Sequence, residues 1–186
     1  QKFAALIYDE AQTMRSLIND VLTLSKLDES AFENDGATAI NLYAVAQRVA
    51  GRLSSFADDQ GVRVRVEGAS ACIAGSETLA EEMLYNLIEN GIRYNHEGGL
   101  VTMKVGSECV EGGLANAAYQ TVVRVSDTGP GIPAELHDKV FERFFRVDKS
   151  RSKETGGTGL GLAIVKHAVM YHGGVIEVES AEGQGT

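Results

Sequence analysis

Two carboxamides, a carboxylate and a run of glycines mark where this sequence could do chemistry. Asn86 and Asn90 stand four residues apart in NLIENGIRY, the spacing of neighbours on one helix face. From there they could offer carbonyl oxygens to a hard cation such as Mg²⁺, which keeps several waters and takes few protein ligands. The same pair could instead satisfy nearby backbone groups. Asp127 follows TVVRVS and opens DTGPG. Such an aspartate either organises a turn or, kept ionised, accepts a hydrogen bond from an amine while Gly129 and Gly131 let a flat ring approach the backbone. In ETGGTGLGL, Gly157, Gly159 and Gly161 precede the apolar LAIVKH, so backbone N–H groups near a helix start could face an anion. A Walker loop would need Lys and then Ser or Thr where Leu162 and Ala163 stand, and a dinucleotide fingerprint counted from Gly159 would need Gly or Ala at Ile164. Just upstream, Arg143, Arg146, Lys149, Arg151 and Lys153 face the single acid Asp148. That basic stretch between two apolar anchors reads as a lid whose cations lie over phosphates.

The elements that must position these groups follow from periodicity. Residues 42–58, 77–94 and 161–172 read as helices, 62–67 as a half-buried strand, and 100–106, 120–126 and 175–180 as further β-rich runs. Leu79, Met83, Leu84, Leu87 and Ile88 form the buried stripe of the 77–94 helix. Asn86, Asn90, Arg93 and Tyr94 share a sector of roughly 100° toward its C-terminal end. Phe141, Phe144 and Phe145 in FERFFR have helical one-face spacing, for which core packing is the default. The runs at 100–106 and 120–126 are joined by ECVEGGLANAAYQ as an antiparallel hairpin. The expectation is α+β, with helices on one face of a mixed, largely antiparallel sheet. Before it, residues 3–28 carry Ile7, Met14 and Val21 in one heptad column and Phe3, Leu17 and Leu24 in another, widened by Ala4, Ala11 and Ile18. A lone helix cannot hide that stripe, so residues 1–29 are expected to be a helical arm that packs on partner helices, the alternative being a helix folded back onto the domain. A polar linker over 30–37 separates it from a domain at 38–186.

With 186 residues and 44% hydrophobic content the chain can build a real core. No apolar run nears the ~20 residues of a membrane span, and residues 1–20 lack a signal-peptide layout. Cys72 and Cys109 are too few for a disulfide framework and are expected reduced and partly buried. A net charge of −9 argues against nucleic-acid and anionic-membrane partners.

The order NLIENGIRY, DTGPGI, FERFFR, GTGLGLAIVKH and GQGT resembles the sensor histidine kinases of two-component systems, and MRSLINDVLTLSKLDE at 14–29 looks like the second helix of their dimerisation and phosphoacceptor hairpin. The resemblance implies the Bergerat ATP-binding fold, with ATP and Mg²⁺ as ligands. By motif match, Asn90 would bind the metal with Asn86 beside it, and Asp127 would read the adenine amine. Arg146 and Arg151 would face the phosphates, Arg93 and Tyr94 would border them, and Gly129, Gly131, Gly157, Thr158, Gly159, Leu160 and Gly161 would shape the pocket. The implied partners are a phosphoacceptor helix of the parent protein, a response regulator and, in the intact protein, a second copy. The implied location is the cytoplasmic part of a membrane-anchored sensor. Gly91 and Arg93 stand where the family usually has alanine and lysine. None of His96, His137, His167 and His172 is followed by the Glu-x-Arg-Thr-Pro type of sequence that marks the family's acceptor, which places the acceptor outside this chain. Hydrolases of the wider superfamily have a water-activating glutamate where Asn86 stands, which weakens a hydrolase reading. A nucleotide-binding scaffold without transfer is the other alternative.

Overall fold

Asn41 ends a strand and starts a helix in one step, because its side-chain oxygen accepts the N–H groups of Tyr43 (3.1 Å) and Ala44 (3.2 Å), a cap typically worth ~1 kcal/mol. The structure, a computed structural model, describes residues 38–110, 118–147 and 158–186, and of the N-terminal part residues 11, 14, 15, 17, 18, 21 and 22. The 30–37 linker and the lid segment with Lys149, Arg151, Lys153 and Gly157 lie outside the described residues. The elements are β1 (Thr38–Asn41), α1 (Leu42–Arg52), α2 (Ser54–Asp59), β2 (Arg63–Gly68), β3 (Cys72–Gly75), α3 (Glu77–Arg93), β4 (Leu100–Val110), β5 (Ala118–Asp127) and α4 (Gly161–Tyr171). Two single-turn 3-10 segments, Ala134–Leu136 and Lys139–Phe141, lie between β5 and α4. The helix expected over 42–58 is thus two helices, broken at Leu53.

β4 and β5 form the expected antiparallel hairpin, and β2 joins β4 in parallel, giving the order β2-β4-β5. The parallel pair needs a crossover, and α3 supplies it. β1 and β3, not foreseen from the sequence, pair antiparallel as a separate two-stranded sheet. Val45 and Val49 of α1, Leu84 and Ile88 of α3, Met103 of β4 and Val165 of α4 are fully or almost fully buried in one cluster, each such side chain contributing about 1.5–3 kcal/mol. The architecture is α+β, helices layered on a mixed sheet. Arg48 with Glu77 (2.6 Å) and Arg52 with Glu81 bridge α1 and α3 at the exposed rim, where such pairs add little. Among the described residues no helix is long and apolar enough to cross a membrane.

Several expectations change. FERFFR is not a helix: after the turn ending at Phe141, Phe144 adopts φ 63° and is exposed, so its one-face spacing is coincidental. Residues 175–180 keep an alternating exposure with Ile176 packed on the core, but they belong to no strand. Alternation reports which side faces the core, whereas a strand also needs a ladder partner. Cys72 and Cys109 form no disulfide and are exposed rather than partly buried. In the arm all the described positions are helical; Met14, Ile18 and Val21 are exposed, while Leu17 packs on Leu160 and Ile164 of the domain.

His172 braces the far ends of α3 and α4. Its Nε2 accepts the Ser76 N–H (3.2 Å), so Nδ1 carries the proton and donates to the Ala168 carbonyl (2.7 Å). Gly75 has φ 146°, and a methyl group there would lie 2.3 Å from His172 Cδ2. Held by two hydrogen bonds, the ring cannot swing away without cost. Gly75→Ala should therefore lower stability by about 1–3 kcal/mol from backbone strain alone, read as a lower urea midpoint at unchanged slope. An unchanged midpoint would show that neither the backbone at residue 75 nor the His172 ring is strained by the added methyl group.

Candidate functional site

The C-terminal half of α3 carries the two asparagines. Asn86 Nδ2 donates to the Glu82 carbonyl (2.9 Å), which fixes the amide and turns Oδ1 outward, toward the start of α4. A methyl group at Gly161 would sit 2.6 Å from that Oδ1 and 3.7 Å from Asn90 Nδ2. The bare Gly161 backbone is what lets the first turn of α4 close on the asparagine pair. This sets the Asn86 amide oxygen, with Asn90 Nδ2 beside it, at the positive end of an 11-residue helix. Among the described residues no group of three or more His, Cys, Asp or Glu could hold a metal. The outward Oδ1 of Asn86 is a hard neutral donor of the kind Mg²⁺ takes alongside waters and phosphate oxygens, so the residues fit that ion.

One residue past Asn90, the helix meets the strand ends. A methyl group at Gly91 would lie 3.0 Å from both methyl groups of Val101 on β4 and 3.7 Å from Asp127 Cβ at the end of β5. Asp127 Oδ1 accepts the Gly129 N–H (2.7 Å), so the turn reading of DTG holds and lone pairs of the carboxylate remain for a further donor. Burial pushes the Asp127 carboxyl above the usual carboxylate range, with the backbone N–H groups of Gly129 and Thr186 pulling the other way. Gly129 lies against the Tyr94 carbonyl, which a methyl group would approach to 2.6 Å. The structure therefore brings Asn86, Asn90 and Gly161 together, and next along the same helix Gly91, Tyr94, Asp127 and Gly129.

Other expected residues sit differently. Arg93 pairs with Glu89 (2.7 Å) and lies over the Phe56 ring (5.5 Å), so its charge is held on the side of α2. A methyl group at Gly131 would be 2.0 Å from the Ala181 carbonyl, and one at Gly185 2.0 Å from the Asp127 carbonyl. These two glycines let the 181–185 turn pack against the DTGPG loop. Gly183 N–H to Pro130 O (2.7 Å) and Ile132 N–H to Ser180 Oγ (2.8 Å) fasten that contact, which explains the GQGT motif. Gly159 accepts the Phe144 N–H (2.9 Å), and Thr158 Oγ1 accepts the Leu160 N–H (3.2 Å). The Leu160 side chain is fully buried beside Ile164, leaving only its backbone to face a ligand. Arg146 is partly buried; Arg151 and Gly157 lie outside the described residues. Asn95 and Thr128, which no sequence pattern singled out, join α3 to the Asp127 loop (Thr128 Oγ1 to Asn95 Oδ1, 3.1 Å). The available signal was an asparagine placed directly after the helix end.

Residues 75–186 match the family described as histidine kinase-, DNA gyrase B- and HSP90-like ATPase. The chain is 34% identical over its whole length to the sensor-like histidine kinase SenX3 of Mycobacterium tuberculosis, of which it spans 43%. Among solved structures it superposes on the mycobacterial sensor histidine kinase MprB with a TM-score of 0.64 at 27% identity, covering 80% of this chain and 91% of that one. It also superposes on full-length ShkA in complex with AMPPNP with a TM-score of 0.76 at 26% identity, covering 99% of this chain and 36% of that one.

Proposed function

We infer, for a chain that belongs to the histidine kinase-, DNA gyrase B- and HSP90-like ATPases and carries the ATP-binding catalytic domain of a sensor histidine kinase, that it transfers the γ-phosphoryl of Mg·ATP to a histidine outside residues 1–186. From there the phosphoryl group passes to a response-regulator aspartate. The observation that carries this reading is the closure of α4 at Gly161 onto Asn86 and Asn90, with the half-buried Asp127 beside Gly91, the next residue of α3.

Asp127 accepts the adenine amine, and Gly129, packed against the Tyr94 carbonyl with its N–H on Asp127 Oδ1, holds the carboxylate in place. Asn90, with Asn86 beside it, holds Mg²⁺, which supplies charge neutralisation across the phosphate oxygens. The N–H groups at the start of α4 face the phosphates, joined by Arg146 and Arg151. Catalysis is then positioning and charge stabilisation rather than proton abstraction. Asn86 occupies the helix position a water-activating base would need, and an amide takes no proton. In the intact protein the exposed Met14, Ile18 and Val21 stripe packs in a dimeric helical bundle beside the acceptor helix, on the cytoplasmic side of a membrane-anchored sensor. Calorimetry should show Mg·ATP binding with only slow hydrolysis. No binding at millimolar ATP would overturn the reading, and rapid steady turnover would move the protein to the hydrolases.

A further inference from the structure

One residue past Tyr94, which caps α3, the Asn95 side chain uses its whole hydrogen-bonding capacity. Nδ2 donates to the carbonyls of Gly91 (3.1 Å) and Leu100 (3.3 Å), and Oδ1 accepts from Thr128 Oγ1 (3.1 Å) and the His96 N–H (3.0 Å). A carboxamide has two donor hydrogens and two acceptor sites on its oxygen, and all four are engaged. The partners are informative. Gly91 follows Asn90, Leu100 begins β4, and Thr128 follows Asp127. Because the Thr128 hydroxyl donates to Asn95, its lone pair is the one that accepts the Leu100 N–H (2.9 Å), while the Thr128 N–H donates to the Leu100 carbonyl (3.1 Å). The end of α3, the start of β4 and the loop after β5 are thus tied into one closed network. Space for it is reserved, since a methyl group at Gly99 would lie 2.1 Å from Asn95 Oδ1. An aspartate would instead set a carboxylate oxygen against two carbonyl oxygens.

We propose that Asn95 is a positioning residue which fixes the span between Asn90, at the metal end of the nucleotide site, and Asp127, at the base end. This rests on the reading of that site as one for Mg·ATP. A ligand that touches one end does not sense the span, whereas one that bridges both does, because its two halves bind with the advantage of being linked.

The test compares three ligands on the folded chain: Mg·ATP, which bridges the site, and adenosine and Mg·tripolyphosphate, which each occupy one end. Asn95→Ala and Thr128→Val should weaken Mg·ATP about tenfold and leave the two one-ended ligands within about twofold. Thr128→Ser, which keeps the hydroxyl, should restore Mg·ATP binding. If Asn95→Ala does not fold, Thr128→Val with its serine rescue carries the comparison. Equal losses for all three ligands, or undiminished Mg·ATP binding in both variants, would overturn the assignment while leaving the nucleotide reading intact. Failure of the unsubstituted chain to bind Mg·ATP would overturn that reading and this one with it.

Discussion

Incubated with Mg·ATP labelled at the γ-phosphate, this chain should acquire no label. A longer form that supplies the proposed acceptor helix should form acid-labile phosphohistidine, and Asn90→Ala in that form should reduce the label at least about a hundredfold. Three of the four histidines have at least one ring nitrogen beside a backbone group. Both ring nitrogens of His172 are engaged, with Ser76 and Ala168, and Nε2 of His137 lies 3.0 Å from the Ile132 carbonyl. His96 Nδ1 lies 3.0 Å from the Glu97 carbonyl on the exposed turn after α3. On the proposed reading Asn90 acts through the metal and phosphates, and the Met14, Ile18 and Val21 stripe would pack elsewhere, so a dimer built on that stripe in the longer form should survive the substitution. Phosphate on any of His96, His137, His167 or His172 in the short chain, or undiminished label in the Asn90→Ala form, would count against metal-assisted transfer to a histidine outside residues 1–186.

Much of this arrangement was legible because it is written in local periodicity. The apolar stripe that made 77–94 a helix is the stripe that buries Leu84 and Ile88, and the same rotation that buries them brings Asn86 round to α4. The alternation in VRVRVE and the β-rich runs after Leu100 became β2, β4 and β5 for the same reason. What stayed hidden depends on partners distant in the chain. The four-residue strands β1 and β3 are too short to show a period and exist because each pairs with the other. Gly131 looked like a pocket glycine and Gly185 was only part of the GQGT motif, but their need for bare backbone comes from carbonyls 50 or more residues away in the chain, Ala181 and Asp127. Arg93 lies in the sector shared by Asn90, yet a long side chain goes where charge and an aromatic face await it, here Glu89 and Phe56. Asn95 carries no periodic signal at all, and its four bonds join segments that only the fold brings together.

Asp127→Asn should weaken Mg·ATP about ten- to hundredfold and erase the preference for ATP over GTP. On the proposed reading it removes a charge-assisted bond worth about 1.5–3 kcal/mol and turns an amide N–H₂ toward the base, where adenine would present an amine and guanine a carbonyl. The asparagine oxygen can still accept the Gly129 N–H, so the loop should keep its shape and the loss is chemical rather than structural. The pH profile gives an independent check. Burial raises the Asp127 carboxyl above its ordinary value, and on the proposed reading the ionised form is the stronger acceptor for the amine. Affinity in the unsubstituted chain should therefore decline with acid at a higher pH than an ordinary carboxylate would give, and that limb should vanish in the asparagine variant. The same shift acts on folding with the opposite sense. A carboxyl whose folded-state pKa lies above its unfolded value contributes stability in full only below the unfolded value, and that contribution is lost as pH rises through the folded one. At neutral pH, then, the ligand-free Asp127→Asn protein should melt no lower than the unsubstituted protein and somewhat above it, even as it loses its nucleotide. A carboxylate kept in a partly buried place at a cost to stability is expected of a group selected for binding. Unchanged affinity and base preference in the variant would remove Asp127 from the base pocket, and a lowered melting temperature would show that its charge serves the fold instead.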